Sequence, residues 1–185
     1  MSRIIAGELG GRRIAVPDGR ATRPTSDRTR EALFSSIEAT HDLDGGLFLD
    51  LYAGSGAVAL EALSRGAPSA VLVESARPAL QAIERNVRDL RVADRVTVLA
   101  GRVESLTARL AGVRALTVFV DPPYDDDADA LAALLGDLLA AEAIDCEALV
   151  VVERDRRAGW RWPPQIEPVR DRRYGETVLW YGRPL

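Results

Sequence analysis

Lysine is absent from this sequence, cysteine and histidine occur once each, and no apolar run is longer than a β-strand. Each scarcity narrows the chemistry. The single cysteine, Cys146, excludes an internal disulfide and a multi-thiolate metal site, and it suits a reducing cytoplasm. It directly precedes an apolar run, Ala148–Val152, and reads as buried. The lone histidine, His41, argues against histidine triads and clusters, and its setting Thr40-His41-Asp42-Leu43 reads as a solvated loop. The short apolar runs leave no membrane span, and the first residues lack the apolar stretch of a signal peptide. All 24 basic residues are arginine, which reads as genome-wide compositional bias and carries no functional weight. At 185 residues the chain suits one domain, large enough to bury about 70% of its unfolded surface.

The net charge of −4 looks wrong for a partner of nucleic acid, but it is unevenly spread. Residues 1–30 hold seven Arg against Glu8, Asp18 and Asp27, and residues 154–185 hold eight Arg against Asp155, Glu167, Asp171 and Glu176. Each end therefore carries +4, while residues 31–153 carry −12. Charges are screened over about 8 Å at physiological salt, so a ligand senses the local patch more than the total. Both basic ends could lie on one face and hold phosphates, with Arg3, Arg12 and Arg13 as candidates in the first.

Two short strand-like runs, Arg3–Gly7 and Arg12–Val16, flank Gly10-Gly11 and predict a hairpin. Pro24-Thr25-Ser26-Asp27 starts a helix carrying Ala32, Leu33 and Ile37 on one face. Strands then alternate with helices. The strands are Leu47–Tyr52, Ser69–Glu74, Arg95–Ala100, Leu116–Val120 and Ala148–Glu153. The helices are Gly56–Arg65, a segment striped by Ala76, Leu80, Ile83, Val87 and Leu90, a short one near Val103–Leu110, and one marked by Leu131, Leu134, Leu135, Leu138 and Leu139. Ile166–Arg172 and Thr177–Tyr181 form a last hairpin turning at Tyr174-Gly175. This alternation predicts an α/β, Rossmann-like fold: a mostly parallel sheet with helices on both faces, a C-terminal antiparallel hairpin and an N-terminal hairpin extension. The ligand is expected at the carboxyl ends of the strands, near the switch point.

Two strand ends carry the candidate chemistry. The fourth strand runs into Asp121-Pro122-Pro123-Tyr124. The exocyclic amine of a nucleobase is a poor nucleophile because its lone pair is delocalised into the ring. The Asp121 carboxylate and the Pro122 carbonyl, both aimed at its hydrogens, would draw the nitrogen toward tetrahedral geometry. Pro122 and Pro123 restrict the loop through their fixed φ, and Tyr124 offers a face for an extruded base. A plain proline turn with Tyr124 at its rim is the alternative. The first strand runs into Asp50-Leu51-Tyr52-Ala53-Gly54-Ser55-Gly56. Gly54 and Gly56 allow a tight turn and close approach of a ligand, unless they serve only strand–helix packing. Glu74, ending the second strand, is placed to accept both hydroxyls of a ribose. The loop lacks a third glycine at Ala59, which favours a nucleoside cofactor without phosphates over a dinucleotide.

The Gly-rich turn with Asp50, the acid at Glu74 and the Asp-Pro-Pro-Tyr stretch, in that order, resemble the class I S-adenosylmethionine-dependent methyltransferases over about residues 45–182. Further segments narrow the likeness: Arg3–Gly7 with Gly11-Arg12, Arg23–Phe34, Glu61–Ala67 and Tyr174–Thr177. Together they resemble the RsmD family, bacterial enzymes that methylate N2 of one guanine in 16S ribosomal RNA on late-assembling small-subunit particles. The resemblance implies S-adenosyl-L-methionine as cofactor, held by Asp50, Ala53, Gly54, Ser55, Gly56, Glu74 and Asp121, and 16S rRNA within the small subunit, with ribosomal proteins, as partner. By analogy Arg23–Arg28 closes over the methionine end of the cofactor or contacts RNA there, making Arg23 and Arg28 candidates. Family members usually carry Asp or Asn after the third strand, whereas this chain has Gly101-Arg102-Val103-Glu104. Arg102 cannot accept a hydrogen bond, so adenine recognition falls to Val103 backbone groups or to Glu104. Residues 1–22 are expected to form the hairpin extension and 23–185 the methyltransferase domain.

Other readings remain open. A DNA adenine-N6 methyltransferase uses the same tetrapeptide but normally carries an additional target-recognition region. A non-catalytic RNA-binding assembly factor and a nicotinamide-dependent oxidoreductase are further alternatives. Methyl transfer from a sulfonium needs no metal, and no covalent intermediate is expected. Trp160 and Trp162, beside Pro163-Pro164, read as packing residues, with RNA stacking the alternative. A cytoplasmic monomer is expected.

Overall fold

A computed structural model describes residues 2–17, 27–123 and 127–185. The N-terminal hairpin pairs β1 (Ser2–Arg3) with β2 (Arg13–Ile14). Helix α1 (Asp27–Glu38) leads to β3 (Phe48–Leu51), α2 (Ala57–Ser64), β4 (Ala70–Glu74), α3 (Arg77–Leu90) and β5 (Val96–Ala100). Then follow α4 (Val103–Leu110), β6 (Ala115–Val120), α5 (Ala128–Ala140), β7 (Ile144–Asp155), β8 (Ile166–Tyr174) and β9 (Thr177–Pro184).

The main sheet has the order β5-β4-β3-β6-β7-β9-β8. Strands β3 to β7 are parallel, and β9 runs antiparallel to both its neighbours. This is the class I methyltransferase architecture, with the two hairpins where the alternation of the sequence puts them. Every residue of β3 is buried, as expected for a parallel strand covered on both faces. Because β4 and β5 extend outward on one side of β3 while β6 and β7 extend on the other, the switch point falls between β3 and β6.

Two apolar layers hold the sheet. The first joins Ile4 and Ile14 of the hairpin to α1, α2 and α3 through Phe34, Leu60 and Ile83. The second packs α4 and α5 on the opposite face through Leu106, Leu110 and Leu135. The hairpin and α1 also explain why α2 is buried from Val58 to Ser64, charged Glu61 included. Glu61 accepts from the Ile5 and Ala6 amides at 2.7 and 3.0 Å, lies 2.8 Å from Arg65 Nε, and faces the fully buried Arg30 at 3.7 Å.

Some expectations need correction. The hairpin strands are only two residues each, because the 4–12 stretch folds back onto α2 and α3 instead of pairing throughout. Cys146 is exposed, since β7 begins irregularly, with its register against β6 shifting between Ala115 and Thr117. His41 is half-buried, and desolvation, with the Arg183 charge adding, holds its pKa below the usual histidine value. The buried face of α3 is Ala79, Ala82, Ile83, Asn86 and Leu90, while Ala76 is exposed. Trp160 and Trp162 pack edge to face, 5.4 Å apart, in and against the second layer. Among the described residues no helix is long and apolar enough to cross a membrane.

Candidate functional site

The carboxyl ends of β4, β3 and β6 bring Glu74, Asp50 and Asp121 to one rim. Asp50 pairs with Phe119 in the β3–β6 register and with Leu72 in the β3–β4 register. Side chains two residues apart on a strand share a face, so Asp50, Glu74 and Asp121 all point toward the side covered by α2. The charges of Asp121 and Glu74 are both felt at Asp50.

After Leu51 the backbone turns sharply, with positive φ at Tyr52 (65°), Gly54 (56°) and Gly56 (76°). Gly56 N–H donates to the Ala53 carbonyl at 2.7 Å, and Ala53 N–H donates to the Val73 carbonyl at 2.9 Å. Asp50 is 1% exposed and accepts from Ala59 N–H at 3.1 Å, locking the first turn of α2 to β3. The two glycines differ in role. A Cβ on Gly56 would sit 2.9 Å from Leu72 Cδ2, so this glycine serves strand–helix packing. Among the described residues a Cβ on Gly54 would meet nothing within 4 Å, so the backbone there is open to them and a ligand can approach it.

Glu74 is the hinge of the turn. One carboxylate oxygen accepts from Gly54 N–H at 2.7 Å, and the other accepts from Ser75 and Ala76 N–H, each at 2.7 Å. Asp121 N–H reaches back to the Leu51 carbonyl at 3.4 Å, Pro122 is buried and Pro123 exposed. Burial pushes the half-buried Asp121 carboxyl up to about 7. It also raises Asp50 well above the usual carboxylate range, with the Ala59 hydrogen bond opposing and the two neighbouring acids adding. The rim is thus acidic and poorly solvated, a setting that suits a cationic ligand. Gly54 with open space above it, Glu74 at the strand end and this acidic rim fit a sulfonium nucleoside.

The remaining candidates are more dispersed. Val103 opens α4 with its side chain 2% exposed in the second layer. Glu104 accepts from Tyr52 Oη at 3.3 Å and pairs with Arg102 at 3.3 Å. Tyr124 and Arg23 lie outside the described residues. Arg12 donates to the Asp89 and Leu90 carbonyls that end α3, at 2.6 and 3.5 Å, a favourable place for a cation. Arg3 faces Asp27 at 3.6 Å, while Arg13 and Arg28 are exposed and make no ion pair among the described residues. The hairpin is held against α2 and α3, and the C-terminal arginines Arg170, Arg172, Arg173 and Arg183 sit on β8 and β9 at the far edge of the sheet.

Tyr52 and Asn86 escaped the sequence reading. A positive φ at tyrosine has no signature in sequence. Asn86 did have one, as a polar residue on an otherwise apolar helix face. Its carboxamide bonds Ser55 of the turn and Ala15 of the hairpin.

The family model described as conserved hypothetical protein 95 matches residues 2–183. The Bacillus subtilis (strain 168) protein YlbH is 34% identical over 158 residues, 83% of either chain. Ribosomal RNA small subunit methyltransferase D of Escherichia coli (strain K12) is 39% identical over 122 residues, 66% of this chain and 60% of that enzyme's own length. Among solved structures, the Escherichia coli protein yhhF superposes with a TM-score of 0.82 at 33% identity, covering 99% of this chain and 97% of that one. A hypothetical protein from Thermus thermophilus gives 0.79 at 35% identity, covering 98% of both chains.

Proposed function

This chain belongs to the conserved hypothetical protein 95 family and is homologous to ribosomal RNA small subunit methyltransferase D, and from that premise we propose that it is an S-adenosylmethionine-dependent RNA methyltransferase. Its substrate in this reading is the N2 amino group of one guanine in 16S rRNA, on assembled or late-assembling small subunits. The observation that carries the proposal is the delivery of Asp121-Pro122-Pro123 by β6 to the rim formed by the Gly54 turn and Glu74.

When bound, S-adenosylmethionine supplies an electrophilic methyl group, so the protein's task is alignment and amine activation. Glu74, its carboxylate oriented by the Gly54, Ser75 and Ala76 amides, would hold the ribose hydroxyls. Gly54 and Ser55, with Ala53 and Gly56 fixing the turn, border the methionine portion, and Asp50 holds that turn to α2. Val103 backbone groups would hold the adenine. The Asp121 carboxylate and the Pro122 carbonyl accept hydrogen bonds from the target amine. A carboxyl raised to about 7 is a stronger acceptor once ionised than an ordinary aspartate. Pro123 stiffens the loop and Tyr124 stacks on the extruded base.

RNA phosphates are engaged by Arg3, Arg13, Arg23 and Arg28, with Arg12 acting from its place at the end of α3. Residues 1–22 form the extension and 23–185 the methyltransferase domain of a cytoplasmic monomer. Mass mapping of methylated nucleosides in 16S rRNA from cells lacking the protein tests the reading. Loss of one N2-methylguanine is expected, and an unchanged map refutes it. A DNA adenine-N6 methyltransferase is the second reading, favoured only by the shared Asp-Pro-Pro-Tyr stretch.

A further inference from the structure

Asn86 is the polar residue on the buried face of α3, and it is 2% exposed. Its Oδ1 accepts from Ala15 N–H at 2.7 Å, and its Nδ2 donates to the Ala15 carbonyl at 2.9 Å and to the Ser55 carbonyl at 3.0 Å. An amide has one acceptor and two donors to offer, and here an N–H and two carbonyls receive them, which fixes its orientation. A carboxamide buried without partners is costly, so its place on an apolar face is compensated by those two loops. One is the exit of the N-terminal hairpin. The other is the cofactor turn of the proposed function.

Several hydrogen bonds hold the Gly54 turn. Glu74 takes the Gly54 amide, Ala53 takes the Gly56 amide, and Asn86 takes the Ser55 carbonyl. Of these, Asn86 alone also grips the hairpin. The hairpin is fastened independently by Ile4 and Ile14 in the first apolar layer, by Glu61 at the Ile5 and Ala6 amides, and by Ser64 at the Leu9 amide. Among the described residues, Asn86 is the side chain whose hydrogen bonds join the hairpin exit directly to the Ser55 peptide.

We propose that Asn86 is a positioning residue that couples the N-terminal hairpin to the cofactor turn, so that the docked hairpin raises affinity for S-adenosylmethionine. This rests on the methyl-transfer reading above. The hairpin is then part of the cofactor site's support as well as an RNA-facing element. Linkage makes the effect reciprocal: bound cofactor tightens the hairpin. Asn86 touches no reacting atom, so its loss acts on cofactor affinity and not on turnover at saturation.

The test uses the full chain, with calorimetric affinities for S-adenosylmethionine and S-adenosylhomocysteine and hydrogen exchange at the Ile5, Ala6 and Ala15 amides. Asn86→Ala should weaken both ligands about five- to tenfold, the worth of one to two neutral hydrogen bonds, while leaving saturated turnover within a factor of two. Ile14→Ala, which loosens the hairpin and leaves every hydrogen bond of the turn in place, should weaken them in the same direction and less than additively with Asn86→Ala. Cofactor should slow exchange at the hairpin amides in the wild type and not in Asn86→Ala. Unchanged affinity in either variant overturns the coupling, and if Asn86→Ala does not fold, Ile14→Ala and the wild-type exchange decide it. Failure of the wild type to bind either ligand would instead remove the methyl-transfer reading itself.

Discussion

Replacing Asp121 by asparagine should stabilise the fold while stopping its chemistry. The Asp121 carboxyl is raised by burial from 3.8 to about 7. A carboxyl with a raised folded-state pKa binds its proton more tightly in the folded chain than in the unfolded one. Stability therefore falls as pH climbs from about 4 to about 7 and stays reduced above that. At about 1.4 kcal/mol per pH unit over that span, the ionised carboxylate costs at most about 4 kcal/mol. Asp121 is half-buried, so water offsets part of this, and we expect about 1–3 kcal/mol. Asparagine keeps the shape and never ionises. The variant should match the wild type near pH 4 and exceed it by that margin at pH 8, which corresponds to roughly 3–10 °C in Tm for a chain of this size. Asp50 feels the Asp121 charge, so the substitution also relieves Asp50, and the margin belongs to the coupled pair of acids. Urea unfolding from pH 4 to 8 measures the margin, and single-turnover assays at pH 8 should show the chemistry lost with cofactor affinity changed by only a small factor. Parallel pH–stability curves for the two proteins, or a variant less stable at pH 8, would refute the reasoning.

Four further substitutions separate structure from function. Glu61→Ala leaves the half-exposed Asp27 as the buried Arg30's one acidic partner among the described residues and frees two hairpin amides; urea unfolding should register a loss of about 3–5 kcal/mol. Gly54→Ala places its Cβ in open space at a left-handed φ and should cost only about 1 kcal/mol of stability while sharply weakening cofactor binding, whereas Gly56→Ala meets Leu72 and should lose about 1–3 kcal/mol in thermal unfolding. Glu74→Ala should lose roughly 1.5–3 kcal/mol of cofactor affinity by calorimetry, and unchanged affinity would remove Glu74 from the site.

The sheet was legible because its strands are short, apolar and separated by amphipathic helices, so β3, β4, β5 and β6 fall within a residue or two of their expected limits. Positions set by tertiary cover were not. The face of α3 rotates toward Ala79, Ala82 and Asn86 because the hairpin packs on it, and no local periodicity encodes a distant hairpin. The place of Arg12 at the end of α3 was equally hidden, because the carbonyls that hold it there are 77 and 78 residues away. Cys146 reads as core from the apolar run after it, but the register shift at the start of β7 turns it outward. At the site, glycines and acids at strand ends were legible as a constellation, since parallel topology alone brings those ends together. The division of labour between Gly54 and Gly56 was not, because it depends on where Leu72 lies.

The central claim is methyl transfer to a guanine amine of small-subunit RNA, and tritium transfer from labelled S-adenosylmethionine followed by nucleoside digestion tests it most directly. Label should appear in N2-methylguanosine when small-subunit particles are the substrate, with naked 16S RNA poorer and duplex DNA inert. A compact domain gains its specificity from a preformed surface, and a loop base avoids part of the few kcal/mol that unstacking a paired base requires. Label in N6-methyladenine, or equal activity on duplex DNA, would contradict the account.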